Sequence, residues 1–493
     1  MAQNDIFARE FSSVETARSL MLDQTVSPLD LFVESLQTIR RTADKYNYMV
    51  FLDEDALAKR ERTTSGSLDR TKASLLDNIP ILVKDNIETK DMPTTAGSVI
   101  LAQLGFPSHD APVVSTLRNS GAVIVGKANL SEWSNFRGMN SISGWSGIGG
   151  QCRNAIDEAR SPGGSSSGSA VAVALGAVRV AIGTETDGSL MCPAAFNGVV
   201  ALKPTHGVIP TKGVVPIAKS QDTVGPIARS VLDVASAFIT MAELDHPFEL
   251  FESIKTFTKE SFTDVKKPKI GVATSSLFGY HSGTDKVVFE AIDAFSERVE
   301  LVRDCDKGRG NALKVSHELE YEVLISEFAF GIEEYMSTRT VLSGRALEWL
   351  IEENKKNKSL ELSLFGQELF EDAMNRKDDL SSLRYLQALA ANRSTSRRRI
   401  DRVFTKGDID VILAPTMSPA PMIDHRIGDA IVGSGYSIAA VSGYPSLTLP
   451  AGYVNDLPVG ILLIGKPHKE ITLLSIAALV EDALSFKLKA ANS

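Results

Sequence analysis

Two serines and one lysine are the residues whose types and spacing could do chemistry. Ser165 and Ser189 lie in the stretch 161–205, SPGGSSSGSAVAVALGAVRVAIGTETDGSLMCPAAFNGVVALKPT, the part of the chain densest in glycine, serine and small apolar residues. Ser165 sits in the opening Gly/Ser loop. Ser189 sits in a second turn, behind the strand-like VAIGT and the polar ETDG. Lys84 closes the apolar run IPILV far upstream. Amide cleavage by a serine needs a nucleophile, a base for its proton, an acid for the leaving nitrogen and donors for the oxyanion. A lysine is a base only when neutral. Its ordinary pKa is about 10.4, and burial beside an apolar run lowers it. A glycine before a serine in a tight turn lets successive backbone N–H groups point one way, as an oxyanion nest. Each feature alone also has a plain structural reading: a solvated lysine, a flexible loop, and a strand-to-helix turn with Pro193 opening the next helix. On these residues alone, linker punctuation and a paired catalytic device both stay open.

Other chemistries fit the chain less well. Gly164-Ser165-Ser166-Ser167-Gly168 formally matches G-x-S-x-G with Ser166 as nucleophile. That motif needs a strand directly before it, and RNAIDEARSP is polar and closed by proline. The same loop lacks the Gly-Lys-Ser/Thr ending of a phosphate-binding loop. His109, His206, His246, His281, His317, His425 and His468 are scattered, which disfavours a metal hydrolase. Their scatter also weakens a Ser-His-Asp triad, although triads need not be local in sequence. Cys152, Cys192 and Cys305 form no zinc pattern, and so sparse a count suits a reducing compartment.

The elements that must position these residues read as an α/β alternation. Ser12 with Glu15, and Ser27-Pro28-Leu29-Asp30, are helix starts, so the first sixty residues read as helices ending near a polar loop at 65–70. IPILV is a short buried strand, 113–121 a helix with a glycine stop, and AVIVGK another strand, a βαβ-type rhythm. The stretch 131–161 is irregular and rich in Gly, Ser and Trp, as functional loops are. Residues 224–242 read as strand then helix, and KPKIGVAT as a strand opening a second alternation. Residues 310–405 read as charged helices, DVILAPT as strand, 438–465 as strand, Gly-Pro turn and strand, and 473–484 as a closing helix. One large domain is expected, with a division near 243–266 as the alternative. The chain has 493 residues, 43% hydrophobic, and a formal net charge of −9. That is an ordinary globular balance with no basic track for nucleic acid, and Arg397–Arg399 reads as a solvated helix face. No signal peptide and no run of roughly 18–20 apolar residues is visible, so a soluble cytoplasmic protein is expected.

The stretch 161–205 resembles the signature of the amidase signature family. GGSSSGSA is similar to its Gly/Ser loop, IGTETDGSLMCPAAFNGVVALKPT to the remainder, and IPILVKDN to its lysine segment. SQDTVGPIARS, GYPSLTLP and LPVGILLIG fit as well, so the likeness runs from about residue 12 to 485, weakest across 245–400. KANLSEWSNFRG, SISGW and GTETDGS are most similar to the family's bacterial peptide amidases. The resemblance implies an α/β fold: a single large domain over 1–493 with a mixed, mostly parallel central sheet wrapped by helices. Within it fall N-terminal helices 12–60, a signature core 79–242, a variable helical region 300–405, and C-terminal strands and helix 408–485. It also implies a Ser–cisSer–Lys triad. Lys84 is then the base, Ser165 the relay behind a cis peptide bond, and Ser189 the nucleophile. The backbone N–H groups of Thr186, Asp187, Gly188 and Ser189 are the oxyanion donors. No metal or cofactor is implied.

The implied reaction is hydrolysis of C-terminal peptide amides or amino-acid amides with release of ammonia. Aryl acylamidase or another small-amide hydrolase is the nearer alternative; fatty-acid amides are disfavoured without an anchoring helix. An amidotransferase A-type subunit working with partner chains is the alternative of another class. No nucleic acid or membrane partner is expected, and the chain is expected to be a monomer or homodimer. Two positions depart from much of the family, Asp187 where Gly is common and Met191 where Arg is common. A carboxylate aimed at an oxyanion would oppose it. Asp187 is therefore expected to point away, hydrogen-bonded, or to touch the substrate's peptide N–H. The pocket walls are expected from 131–152 and 310–400.

Overall fold

A computed structural model describes residues 13–63, 74–259, 267–308, 313–340, 344–376 and 380–486. Its frame is one eleven-stranded sheet among these residues. In chain order the strands are β1 (Met49–Leu52), β2 (Pro80–Lys84), β3 (Val123–Ala128), a small separate pair β4 (Trp145–Ser146) and β5 (Gly150–Gln151), and β6 (Val180–Glu185). Then come β7 (Val200–Lys203), β8 (Thr223–Ala228), β9 (Lys269–Val272), β10 (Glu300–Arg303), β11 (Val411–Pro415), β12 (Ser446–Val454) and β13 (Leu457–Gly465). The spatial order is β1-β3-β2-β6-β8-β7-β12-β13-β11-β9-β10. The sheet is mixed. Parallel pairs form two runs, β3–β2–β6 and β11–β9–β10. Antiparallel pairs join them through β8, β7 and the β12–β13 hairpin, and β1 adds an antiparallel edge.

Both faces of the sheet are covered, so its inner strands are apolar throughout rather than alternating. Ile81 and Val83 of β2 pack into one core with the Val231–Met241 and Glu470–Leu484 helices. Leu82 faces the other core, with the small residues of the Ser167–Ala174 helix. The period-two alternation of β2 therefore sends Lys84 to the Leu82 side, where the Gly/Ser loop lies. Because β7 pairs with β12, the halves before and after 243–266 share one sheet.

Most of the expected elements are present. Ser27 caps the Pro28–Tyr46 helix, with Asp30 completing the box. The preceding helix, Val14–Leu22, is capped by Ser13 rather than Ser12, which lies outside the described residues, as does the loop at 65–70. The N-terminal region is not helical throughout, because MVFL forms β1 against β3. IAAVS, expected as strand, is the Ser437–Ser442 helix. Its alanines and its left-handed Gly443 stop outweigh the branched residues. The strand pair of this region is instead β12 and β13, which turn at Asn455 and Asp456 in left-handed conformations rather than at the Gly-Pro segment.

Candidate active site

Lys84 is the last residue of β2, and no part of it reaches solvent. Its Nζ lies 2.7 Å from Ser165 Oγ and 2.8 Å from Thr184 Oγ1, with the Thr184 carbonyl at 3.5 Å. Burial pulls its pKa down to about 7, against the opposing charges of Asp222 and Glu185. A neutral amine has two N–H groups and one lone pair. When Lys84 is neutral, its two N–H groups go to the Thr184 hydroxyl and carbonyl, which leaves the lone pair for the Ser165 hydroxyl proton; when it is protonated, it donates to Ser165 as well. Asn86 Nδ2 donates to the same Thr184 hydroxyl oxygen at 2.9 Å and so fixes it.

Ser165 is wholly buried, and the Gly164–Ser165 peptide bond is cis. Its carbonyl accepts from Ser131 N at 3.1 Å. Gly164 is required for this close approach: a Cβ there would meet Ser131 Oγ at 2.2 Å and Ser143 Oγ at 2.9 Å. Ser166 is structural, in keeping with the missing strand before it. Its Oγ donates to Thr184 O at 3.0 Å and accepts from Thr184 N at 3.2 Å. Its N–H reaches Ser189 O at 3.1 Å. One residue beyond the relay position thus ties the second serine turn to the lysine's strand neighbour.

Ser189 ends the turn after β6, and it is the member of the three that reaches solvent, with 8% exposed. Gly188 has φ +83°, and a Cβ there would strike the Tyr436 ring at 2.3 Å, so the turn and the ring define each other. Glu185 Oε2 accepts from Leu190 N and Met191 N, fixing the start of the Met191–Asn197 helix. Thr186 Oγ1 donates to Asp222 Oδ1 at 2.5 Å, and Asp222 Oδ2 accepts from Ile217 and Ala218 N–H. Among the described residues, the N–H groups of Thr186, Asp187, Gly188 and Ser189 have no protein acceptor. Lys84 and Ser165 are therefore brought into direct contact, whereas Ser189 joins them through the backbone and its Oγ makes no hydrogen bond to Ser165.

Asp187 is half-buried. Its carboxyl turns to the Ser437 hydroxyl and to Glu320 of the His317–Ser337 helix. Burial and the facing Glu320 carboxyl hold it well above the ordinary carboxylate range. Its Oδ1 has no partner. Gln221 Nε2 joins Glu320 Oε1 at 3.0 Å to the Thr186 carbonyl at 3.3 Å. Sequence reasoning missed Thr184, Asn86, Asp222 and Glu320. The first two had a faint signal, since Thr184 lies within VAIGTE and Asn86 two residues past the lysine, but nothing local marks Glu320. A small cleft lies beside Asn86 and Thr184, walled by Ser134, Thr186, Val215 and Asp222.

The amidase family profile matches residues 30–474. The chain belongs to the amidase signature family. Among solved members, the peptide amidase of Stenotrophomonas maltophilia is 35% identical, with a TM-score of 0.84 and 99% of this chain and 100% of that chain covered. A peptide amidase in complex with the competitive inhibitor chymostatin is 36% identical, with a TM-score of 0.85 and the same coverage. The A-type subunit of the glutamyl-tRNA(Gln) amidotransferase of Methanococcoides burtonii is 31% identical over 90% of this chain and 92% of its own length. This membership makes the chain an amide hydrolase and the eleven-stranded sheet an amidase signature fold. Among the described residues, no helix is long and apolar enough to cross a membrane.

Proposed function

We propose that this amidase hydrolyses the C-terminal amides of peptides or amino acids through an acyl-enzyme on Ser189. The observation that carries the reading is the 2.7 Å contact between a dry, depressed-pKa Lys84 and the buried Ser165. Neutral Lys84 accepts the Ser165 hydroxyl proton as Ser165 accepts that of Ser189. Ser189 Oγ forms a bond to the amide carbonyl carbon, and the N–H groups of residues 186–189 receive the oxyanion. On collapse the C–N bond breaks, and the proton returns through Ser165 to the nitrogen, which leaves as ammonia. Water then gives a proton to the relay and adds to the ester carbon, and Ser189 leaves with its proton restored. The Ser189–Ser165 hydrogen bond closes when substrate fills the site, as catalytic hydrogen bonds commonly do.

Peptide amides are favoured over simple amides by Asp187. Its unpartnered Oδ1 beside the turn is an acceptor for an N–H on the acyl side, which peptide and amino-acid amides have and simple acyl amides lack. Similarity to the two peptide amidases supports the same substrate class. Similarity to the amidotransferase chain supports a second reading, delivery of ammonia to partner chains. The test is the purified single chain on a panel of amides, with ammonia and amine detection. Peptide amides are expected to be the best substrates without any partner. Ser189→Ala loses on the order of 10²–10⁴ or more in kcat, Lys84→Ala nearly as much and Ser165→Ala somewhat less. Equal rates for wild type and Ser189→Ala would sink the mechanism. Unchanged peptide-amide kinetics in Asp187→Gly would remove the substrate contact.

A further inference from the structure

Directly beneath the base, on the opposite face of the sheet, lies a second fully buried lysine that the mechanism does not use. Between Ile81 and Leu82 the register of β2 against β3 slips, so that Ile81 pairs with Ile124 but Leu82 with Gly126. The slip brings Lys127 opposite Val83, on the face away from Lys84. Gly126 permits it, because a Cβ there would lie 2.2 Å from the Phe51 carbonyl of β1. Lys127 Nζ is then held by Ile87 O at 2.8 Å, Thr94 Oγ1 at 2.7 Å, Pro93 O at 3.0 Å and Asp85 Oδ1 at 3.4 Å. All four belong to the turn that leaves β2 directly after Lys84.

Asp85 is the next residue after the base, and its backbone and side chain both work on that turn. Its N–H donates to Ala128 O of β3 at 3.1 Å, and its carbonyl accepts from Thr95 N and Ala96 N. Its Oδ2 accepts from the Thr95 hydroxyl and from Thr95 N. Ala96 O in turn accepts from Trp133 N at 2.8 Å, the start of the 133–135 segment beside the site. The ladder of β2 ends at Lys84, so this network is what fixes the strand's last residue and the wall together.

We propose that Lys127 is a positioning residue for Lys84, acting through Asp85, and that loss of the Lys127 charge lowers activity on the alkaline side. The inference rests on Lys84 as the base, and the two limbs of the pH profile keep the claims apart. Burial draws Lys127 down to about 8, partly offset by Asp85 and Glu88; Arg339, paired with Glu88, pulls the same way as burial. Its deprotonation leaves Asp85 buried without its ion pair and weakens the hold on Ile87 O and Pro93 O.

The experiment is kcat against pH from about 5.5 to 10 for wild type and Lys127→Met, with tryptophan fluorescence and circular dichroism in parallel. Wild type is expected to rise through pH 7, to fall above pH 8, and to change Trp133 emission reversibly along the falling limb without unfolding. Lys127→Met, if folded, is expected to keep the rising limb, lose the falling one, and run about 10–100-fold slower in kcat with KM little changed. A folded Lys127→Met with wild-type kcat, or a falling limb that survives in it, overturns the proposal. If Lys127→Met does not fold, wild type decides: activity level to pH 10 with unchanged emission overturns it, and a coincident fall in both supports it. Loss of the rising limb alone would count against Lys84 as base and leave the falling limb to judge Lys127.

Discussion

At the scale of residues, the site turns on how protons are distributed around one amine. Thr184 accepts from Lys84 with both its hydroxyl and its carbonyl, and so aims the lone pair at Ser165. Replacing that hydroxyl with a methyl, in Thr184→Val, frees one N–H and leaves Asn86 Nδ2 only the longer 3.4 Å contact to Ser134 Oγ. An acceptor stabilises the charged amine more than the neutral one, so its removal lowers the Lys84 pKa further. The rising limb of kcat is therefore expected to move to more acid pH, while the plateau falls about tenfold or more because the base is misaimed. A pH–rate profile of Thr184→Val checks both. A limb shifted toward alkaline pH would contradict these roles for the lysine's partners.

At the scale of elements, the second serine turn follows β6, and the His317–Ser337 helix brings Glu320 against that turn from outside the signature. Glu320 on that helix faces Asp187, and two facing carboxyls in a buried place cannot both ionise readily. The raised pKa of Asp187 favours its neutral form, which keeps a negative charge away from the N–H groups proposed to receive the oxyanion. Glu320→Gln removes the facing acid, so Asp187 ionises at lower pH. In a kcat–pH profile the variant is expected to lose activity at lower pH than wild type, by about fivefold, roughly 1 kcal/mol of transition-state stabilisation, with lower KM for peptide amides because a charged acceptor holds the N–H more tightly. A rise in kcat would show that the Asp187 charge does not oppose the oxyanion.

At the scale of the whole molecule, β2 and β6 are neighbours in parallel, and that adjacency lets residues 84, 165 and 184 meet although about a hundred positions separate them. The C-terminal half completes the same sheet through β7–β12, and Glu470 accepts from Thr205 N at 2.8 Å. Much of this is legible in the sequence. Short apolar runs mark the buried strands, and the polar, proline-closed run before the Gly/Ser loop argues Ser166 out of the nucleophile's place, where it is found holding Thr184. What stays hidden depends on register and on partners distant in sequence. The slip at Gly126 that turns Lys127 away from Lys84 leaves no pattern in AVIVGKA. Asp187 stands out as a carboxylate in an oxyanion turn, but Glu320, 133 positions later, cannot be matched to it by pattern. The alanine-rich IAAVS misleads because a small apolar run of that length suits a strand or a short buried helix equally.

The most direct test of the central claim is to trap the acyl-enzyme. The purified chain is mixed with an activated ester of an N-acyl amino acid, quenched with acid at the burst, and digested for peptide mass mapping. One acyl adduct is predicted, on Ser189, absent from Ser189→Ala and formed slowly in Lys84→Ala. An adduct on Ser165 or Ser166, or undiminished acylation of Ser189→Ala, would contradict the Ser189 mechanism.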